Sequence, residues 1–281
     1  MNDNLAPEVV QGFGREWSTF RQDADHLSDA QRQEIFEDYF RIFPWHLLPP
    51  GGGIGMDAGC GTGRWSVQVA PRVAYLHLLD ASAEALAVAK ENLKTAQNVS
   101  FHARSVAEIP LPDQSLDFAY SLGVLHHVPD TEGAIAAIAG KLKAGAPFLV
   151  YLYYALDNRP AWYRALWRIS NAARLIISRL PHPLRLVVSQ IIAALVYWPL
   201  AQLARLLSGA GLSVQSLPLS YYADKSFYVM RTDAYDRFCT QLEKRFSRTE
   251  IERMLERAGF IDIRFSDHVP FWCAVGIKSA Q

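Results

Sequence analysis

Apolar and polar positions alternate in blocks along the middle of the chain. Short apolar runs that end at a polar residue or a glycine predict buried strands, and the longer segments between them have helical spacing. The predicted strands are 54–58, 74–80, 99–103, 116–121 and 147–154, and the predicted helices begin near 64, 83 and 131. This alternation predicts a parallel sheet wrapped by helices, with a ligand at the carboxyl ends of the strands.

The C-terminal segment predicts a helix and a hairpin. Ser247 and Glu250 have the spacing of a capping box, and Gly259 can end that helix in a left-handed conformation. Two apolar runs, 261–266 and 271–277, follow with a short turn between them, which predicts a pair of antiparallel strands.

The first predicted strand ends in a carboxylate, Asp57, and three glycines follow at alternate positions up to residue 63. Glycines allow a tight turn and a close approach of the backbone to a ligand. The GxGxG spacing differs from the dinucleotide fingerprint, and Asp57 would repel a pyrophosphate but suit an ammonium group. Asp80, at the end of the second strand, is placed to accept hydrogen bonds from ribose hydroxyls.

These features together describe a nucleoside ligand with a cationic end. The stretch Asp57-Ala58-Gly59-Cys60-Gly61-Thr62-Gly63 resembles the first motif of the class I S-adenosylmethionine-dependent methyltransferases. The resemblance covers 54–154 closely, 246–281 less closely and 155–230 hardly at all. It implies an α/β, Rossmann-like, seven-stranded and mostly parallel sheet, with a C-terminal antiparallel hairpin strand, and S-adenosylmethionine as the cofactor.

The resemblance also implies a set of cofactor contacts. They come from the glycine stretch, the ends of the next strands and the N-terminal segment: Asp57, Gly59, Cys60, Gly61, Gly63, Asp80, Ala81, Ser105, Val106, Ser121 and Trp17. In the family an aspartate usually stands at the position of Ser105 and contacts the adenine amino group. Here the serine or a backbone group must make that contact.

Methyl transfer from a sulfonium needs mainly proximity and orientation, and a base is needed only where the acceptor must lose a proton. His126 and His127 lie just after the fourth strand and are candidate bases, although either could simply bind backbone. Tyr154 and Tyr222 are candidate catalytic residues in a tyrosine-rich mouth, since aromatic faces attract a sulfonium. Not all of these tyrosines can reach one pocket, because neighbouring residues on a strand point to opposite faces.

Two segments flank or interrupt the predicted core of 51–154 and 231–281. Residues 1–50 predict a helix, roughly 28–42, that either packs on the sheet or closes over the cofactor, with Trp17 and Phe20 as lid contacts. Residues 155–230 predict a helical cap insertion that has no Asp or Glu between Asp157 and Asp224 and an uncharged stretch at 186–204. That stretch touches the lower limit for a membrane span, but polar residues interrupt it. The cap is predicted to pack on the core, and it could also shelter an apolar substrate or rest loosely on a membrane surface.

Composition narrows the class of protein. The 28 basic and 28 acidic residues balance, which argues against a general nucleic-acid binder. Three scattered cysteines without metal spacing and a polar N-terminus predict a cytoplasmic protein with no metal site and no signal peptide. The leading hypothesis is a methyltransferase acting on a small, partly hydrophobic molecule. Two alternatives are a cyclase that forms an azetidine amino acid and methylthioadenosine from the cofactor, and a non-catalytic cofactor-binding partner in a membrane-associated pathway.

Overall fold

The structure is a computed structural model that describes Asn4 and residues 29–214, 217–240 and 242–280. Two compact units are present: the first combines Met1–Ala155 with Leu242–Gln281, and the second is Leu156–Gln241. The second unit therefore continues to residue 241, whereas the sequence predicted a cap of 155–230 and a return to the core at 231.

One sheet forms the centre of the first unit. Its strands, in chain order, are β1 (Ile54–Ala58), β2 (Tyr75–Asp80), β3 (Val99–Ala103), β4 (Phe118–Leu122), β5 (Pro147–Tyr151), β6 (Phe260–Phe265) and β7 (Cys273–Lys278). Their order across the sheet is β3-β2-β1-β4-β5-β7-β6. Strand β7 is antiparallel to both of its neighbours, and the other neighbouring pairs are parallel. The predicted Rossmann-like, seven-stranded, mostly parallel fold is confirmed.

The helices fall into the two units. Numbered along the chain, those of the first unit are α1 (Asp29–Phe40), α2 (Ser66–Val69), α3 (Ala83–Asn92), α4 (Thr131–Lys141) and α9 (Arg248–Arg257). Those of the second are α5 (Ala161–Ile177), α6 (His182–Ile192), α7 (Trp198–Gly209) and α8 (Phe227–Cys239). A π-helical turn at Ala193–Tyr197 joins α6 to α7, so that His182–Gly209 is one helix of 28 residues.

Local signals set the helix ends as predicted, with small shifts. Ser82 caps α3 by accepting a hydrogen bond from the backbone of Ala85, and Ser247 with Glu250 forms the capping box of α9. The first helix after the glycines is short because Pro71 lies within a 3₁₀ turn that follows α2. Strand β5 ends at Tyr151 rather than at residue 154, since the Tyr153 carbonyl accepts instead from the Phe246 backbone outside the sheet.

Two hydrophobic cores lie in the first unit. One includes Ile135 and Ile138 of α4 together with Leu255 of α9, and the other includes Phe36 and Phe40 of α1. Helix α1 therefore packs on the core through its aromatic face. Trp17 and Phe20, the predicted lid contacts, lie outside the described residues.

The second unit is a bundle of helices with its own small core. Ala193, Tyr197 and Ala201 of the long helix pack against Met230 and Phe238 of α8. This packing assigns α8 to the second unit. The sequence did not reveal this assignment, because the partners of α8 lie roughly 30 to 45 residues upstream, beyond the range of a local pattern.

Candidate functional site

The loop after β1 is shaped by its glycines. Gly59, Gly61 and Gly63 have φ values of 83°, 53° and 76°, a region that other residues rarely adopt. A Cβ atom on Gly59 would lie 2.3 Å from a methyl carbon of Val124. The loop thus turns tightly at the carboxyl edge of the sheet, as the spacing predicted.

Asp80 fixes this loop at the end of β2. Its Oδ2 accepts a hydrogen bond of 2.8 Å from the backbone N–H of Gly61, and its Oδ1 accepts one of 2.8 Å from Ser82. Burial raises the pKa of the carboxyl group, and the backbone donors oppose that shift. A carboxylate group has about four acceptor positions, and backbone groups of Ser82, Gly61 and Ala81 donate to Asp80, so one position remains for a ribose hydroxyl.

Asp57 lies beneath the glycine loop at the end of β1 and is buried. Its Oδ2 accepts a hydrogen bond of 2.6 Å from Ser66, whose hydroxyl lies 3.2 Å from that of Tyr120. Its Oδ1 is buried and has no hydrogen-bond partner among the described residues. Burial raises the pKa of Asp57 to about 7. A buried carboxylate oxygen without a partner is costly, and a cationic ligand group would satisfy it.

Three other predicted contacts follow the strands at this edge. The Ser105 hydroxyl, just after β3, accepts a hydrogen bond of 3.1 Å from the backbone of Ala107 and keeps one more acceptor position. Val106 is buried in the core beside it. Ser121 of β4 is fully buried, and its hydroxyl donates a hydrogen bond of 2.7 Å to the carbonyl of Ala58. This hydrogen bond links β4 to β1.

Cys60 sits within the loop and is buried. Burial raises the pKa of its thiol well above the ordinary value, and the nearby carboxylates of Asp57 and Asp80 add to the shift. The thiol is therefore neutral near pH 7 and unreactive. Its side chain can line a cofactor site but cannot act there as a nucleophile.

The histidine pair lies on a 3₁₀ turn, Leu125–His127, after β4. His127 Nδ1 is 2.6 Å from the carbonyl of Leu242, and since a carbonyl can only accept, that nitrogen carries the proton. Nε2 is then the basic nitrogen of His127. The sequence allowed either histidine as the base, and this geometry favours His127.

His126 is placed differently from its neighbour. Its ring is fully buried, stacks on Tyr153 at a centroid distance of 3.8 Å, and has no hydrogen-bond partner for either nitrogen among the described residues. Burial lowers the pKa of His126 well below its ordinary value, and His127 and Arg245 contribute. His126 is thus neutral and packed as an aromatic ring.

A cluster that the sequence did not single out surrounds this pair. The Cζ atom of Arg245 lies 5.3 Å from the ring centroid of Tyr153. The guanidinium group donates a hydrogen bond of 2.9 Å to Glu243 and another to the carbonyl of Tyr154. Glu243 and Arg245 follow the second unit in the chain, more than a hundred residues after the histidines. No local pattern marked them, because only the fold brings them to the end of β5.

The predicted catalytic tyrosines fall in different units. Tyr154 follows β5 in the first unit and forms an isolated bridge with Phe246. Tyr222 belongs to the second unit, where its hydroxyl donates a hydrogen bond of 2.8 Å to Asp233 and its ring packs beside that of Tyr197. Burial raises the pKa of Tyr222 well above the ordinary value of a tyrosine, so it is a neutral donor.

The residues at this edge fit the predicted cofactor. A partnerless buried carboxylate oxygen suits its ammonium group, and Asp80 suits its ribose. Tyr39 of α1 and Tyr151 of β5 bring aromatic faces to the same region, with ring centroids 5.2 Å apart. Among the described residues, no group of three or more His, Cys, Asp or Glu side chains could hold a metal ion.

Comparisons with known proteins agree with this geometry. Residues 56–150 match the family model described as a methyltransferase domain. An uncharacterized methyltransferase of Mycobacterium tuberculosis is 26% identical over 125 residues, which cover 44% of this chain and 61% of that protein. A methyltransferase of Aspergillus terreus is 28% identical over 171 residues, which cover 58% of this chain and 53% of the relative. The matches thus span about three fifths and about half of these relatives.

A solved structure extends the likeness to the fold. The S-adenosylmethionine-dependent methyltransferase structure from Thermotoga maritima has a TM-score of 0.53 and 14% sequence identity. The superposition covers 96% of this chain and 100% of that one. At this identity the likeness concerns the fold alone.

Proposed function

We propose that the chain is a class I S-adenosylmethionine-dependent methyltransferase and that it methylates a small acceptor with substantial hydrophobic surface. Asp57 Oδ1 carries the cofactor part of this proposal, because it is a buried carboxylate oxygen with no hydrogen-bond partner among the described residues. When bound, the cofactor supplies an electrophilic methyl group on a sulfonium. The residues of the chain bind it, orient it and exclude water.

Each part of the site has a separate task in this proposal. Asp57 holds the ammonium group, Asp80 holds the ribose, and Ser105 or the Val106 backbone meets the adenine. The aromatic ring of Tyr151 at the end of β5, with Tyr39 of α1 beside it, favours a cationic sulfur and an apolar acceptor. The Nε2 nitrogen of His127 accepts a proton where the acceptor atom carries one.

Calorimetry with S-adenosylhomocysteine tests the cofactor site. Asp80→Ala removes the ribose partner and should weaken binding by about 1.5–3 kcal/mol, as for hydrogen bonds to charged groups. Gly61→Val should abolish binding, because Gly61 has a φ of 53° and donates its N–H to Asp80. The matched control is Asp113→Ala, which removes an exposed surface carboxylate paired with Lys141. Unchanged affinity in both site variants would remove the cofactor assignment.

Mass spectrometry of the nucleoside product tests the reaction. A mixture of protein, cofactor and hydrophobic candidate acceptors should yield S-adenosylhomocysteine and an acceptor heavier by one methyl group. Methylthioadenosine as the product would instead indicate an intramolecular cyclisation. Binding without any turnover across a broad acceptor panel would favour a non-catalytic role.

A further inference from the structure

The second unit has an apolar outer surface. Helix α5 exposes Trp162, Leu166, Ile169 and Ile176, a set spaced as one helical face, and Ile169 is 70% exposed. The long helix formed by α6 and α7 has a matching exposed face: Leu184, Val187, Ile191, Leu195, Trp198 and Leu206. Soluble proteins rarely expose apolar patches of this extent, and such patches mark contact with a membrane or another protein.

The inner face of the long helix has the opposite character. Ser189, Ala193, Ala201 and Ala204 are buried there, with Tyr197 between them. Small residues thus face the bundle while large apolar residues face outward. Helices that pack against each other in lipid show this arrangement, because small residues allow close packing and large ones contact the acyl chains.

Charge identifies the chemistry of the surface that would cover this face. The segment between Asp157 and Asp224 contains no acidic residue and carries seven arginines. Four of them are exposed: Arg164, Arg168, Arg179 and Arg205. Arg174 is buried and donates a hydrogen bond to the carbonyl of Thr240. The whole chain has no net charge, so this basic excess is local. Basic residues beside an apolar face are the pattern of helices that bind anionic lipid headgroups.

A second copy of the chain fits this surface less well. A symmetric dimer through the apolar face would bring the same arginine-rich segment of both copies together, and like charges at an interface are unfavourable. Two exposed tryptophans, Trp162 and Trp198, also suit the boundary between headgroups and acyl chains, where tryptophan is enriched.

The contacts of the long helix favour lying on the membrane over crossing it. By length and composition His182–Gly209 could span a bilayer, and 22% of its most apolar window is buried. It is tied to α8, since Arg231 donates a hydrogen bond to Gln190, and Tyr197 near its middle packs in one cluster with Met230. Helix α8 also carries Asp233, Asp236 and Arg237, and a spanning helix would draw these charges into the hydrocarbon.

We propose that the second unit binds the surface of an anionic bilayer, with the outer faces of α5 and of the α6–α7 helix inserted at the headgroup boundary. Binding is independent of the proposed methyl transfer and needs no cofactor. The exposed arginines supply attraction to the headgroups, and the apolar face supplies insertion.

Flotation of the full chain with vesicles tests the proposal. We expect binding to vesicles of phosphatidylcholine and phosphatidylglycerol, and much weaker binding to phosphatidylcholine alone. The variant with Ile169→Ser, Leu195→Ser and Leu206→Ser should lose about a hundredfold in vesicle affinity, because each exposed side chain contributes insertion. Its matched control is Leu47→Ser with Ile261→Ser, two apolar residues of the first unit with exposures of 48% and 52%.

The charge part has its own pair of variants. Arg164→Gln with Arg168→Gln should weaken binding to anionic vesicles about fivefold for each arginine. Arg253→Gln with Arg257→Gln, at the same spacing on α9 of the first unit, should leave it unchanged. Affinity for S-adenosylhomocysteine, measured by calorimetry, should be equal in all four variants and shows that the first unit stays folded.

Three results would overturn the proposal. The first is equal flotation of the wild type and the triple serine variant, and the second is a soluble dimer that the serine substitutions dissociate. The third is protein that remains in the membrane after an alkaline carbonate wash, which would indicate a span through the bilayer.

Discussion

Asp57 is the residue at which burial and function meet. Burial raises its pKa to about 7 in the folded protein, from an ordinary value of 3.8. Between these values the folded chain holds a proton that the unfolded chain has released, so this group stabilises the fold at low pH and its contribution is lost as pH rises to about 7. The melting temperature of the wild type should fall as pH rises from about pH 5 to about pH 8. The fall should be smaller for Asp57→Asn, because the asparagine side chain does not ionise. Differential scanning calorimetry measures this, and an equal fall in both proteins would contradict the assignment.

The same carboxyl group makes cofactor binding depend on protons. A ligand ammonium group beside Oδ1 favours the ionised form and lowers the pKa of Asp57. Binding of S-adenosylhomocysteine at about pH 6.5 should therefore release a substantial part of one proton from the wild type and much less from Asp57→Asn. Calorimetry in two buffers with different ionisation enthalpies counts the released protons. The same release from both proteins would place the ammonium group elsewhere.

At the scale of single elements, the 3₁₀ turn at Leu125–His127 places its two histidines in different surroundings. His127 bonds the carbonyl of Leu242, whereas His126 stacks on Tyr153. His127→Ala should lower turnover about 10²–10⁴-fold if Nε2 is the base, with little change in cofactor affinity. His126→Phe keeps an aromatic ring against Tyr153 and removes a buried N–H without a partner, so turnover should be kept. A pH–rate profile of both variants tests the assignment, because loss of a base removes the acidic limb. Retained turnover in His127→Ala would show that proximity alone drives the reaction.

The strands and caps of the first unit could be predicted because their signals are local. Apolar runs mark β1 and β3 at the observed bounds, and Ser82 and Ser247 cap the helices that follow them in the chain. Asp57, Asp80 and the glycines were found for the same reason, since they lie within short stretches of fixed spacing. The hydrogen bonds of Asp57 and Asp80 could not be predicted from this spacing, because they depend on how the glycine loop folds against the strands.

What the sequence missed depends on contacts between distant segments. Glu243 and Arg245 reach the histidine turn only because the chain returns from the second unit beside β5. The sequence predicts a return to the core from residue 231, because the pattern of the segment that forms α8 does not distinguish one packing partner from another. The packing of α8 against Tyr197 and Ala201 shows that its partner is the long helix of the second unit.

At the scale of the whole molecule, the boundary of the second unit sets where a deletion must be made. Both ends of that unit join the first unit near one place, since Ala155 donates its N–H to the carbonyl of Phe246. A deletion of 160–215 would leave α8 without the residues that cover Met230 and Phe238. Replacing 156–241 with a short flexible linker removes the whole second unit, including all of its core, and leaves no part of that core exposed.

We expect the protein with this larger replacement to fold, to bind S-adenosylhomocysteine as the full chain does, and to lose turnover and vesicle binding. The sheet and the predicted cofactor residues that the structure describes lie in the first unit, and the sheet is continuous without residues 156–241. Loss of turnover follows from the prediction that the second unit shelters the acceptor and excludes water. Thermal unfolding, calorimetry and product analysis on the same preparation separate these outcomes. A variant that fails to fold would show that the second unit is structural, whereas full turnover would remove its role as a cap.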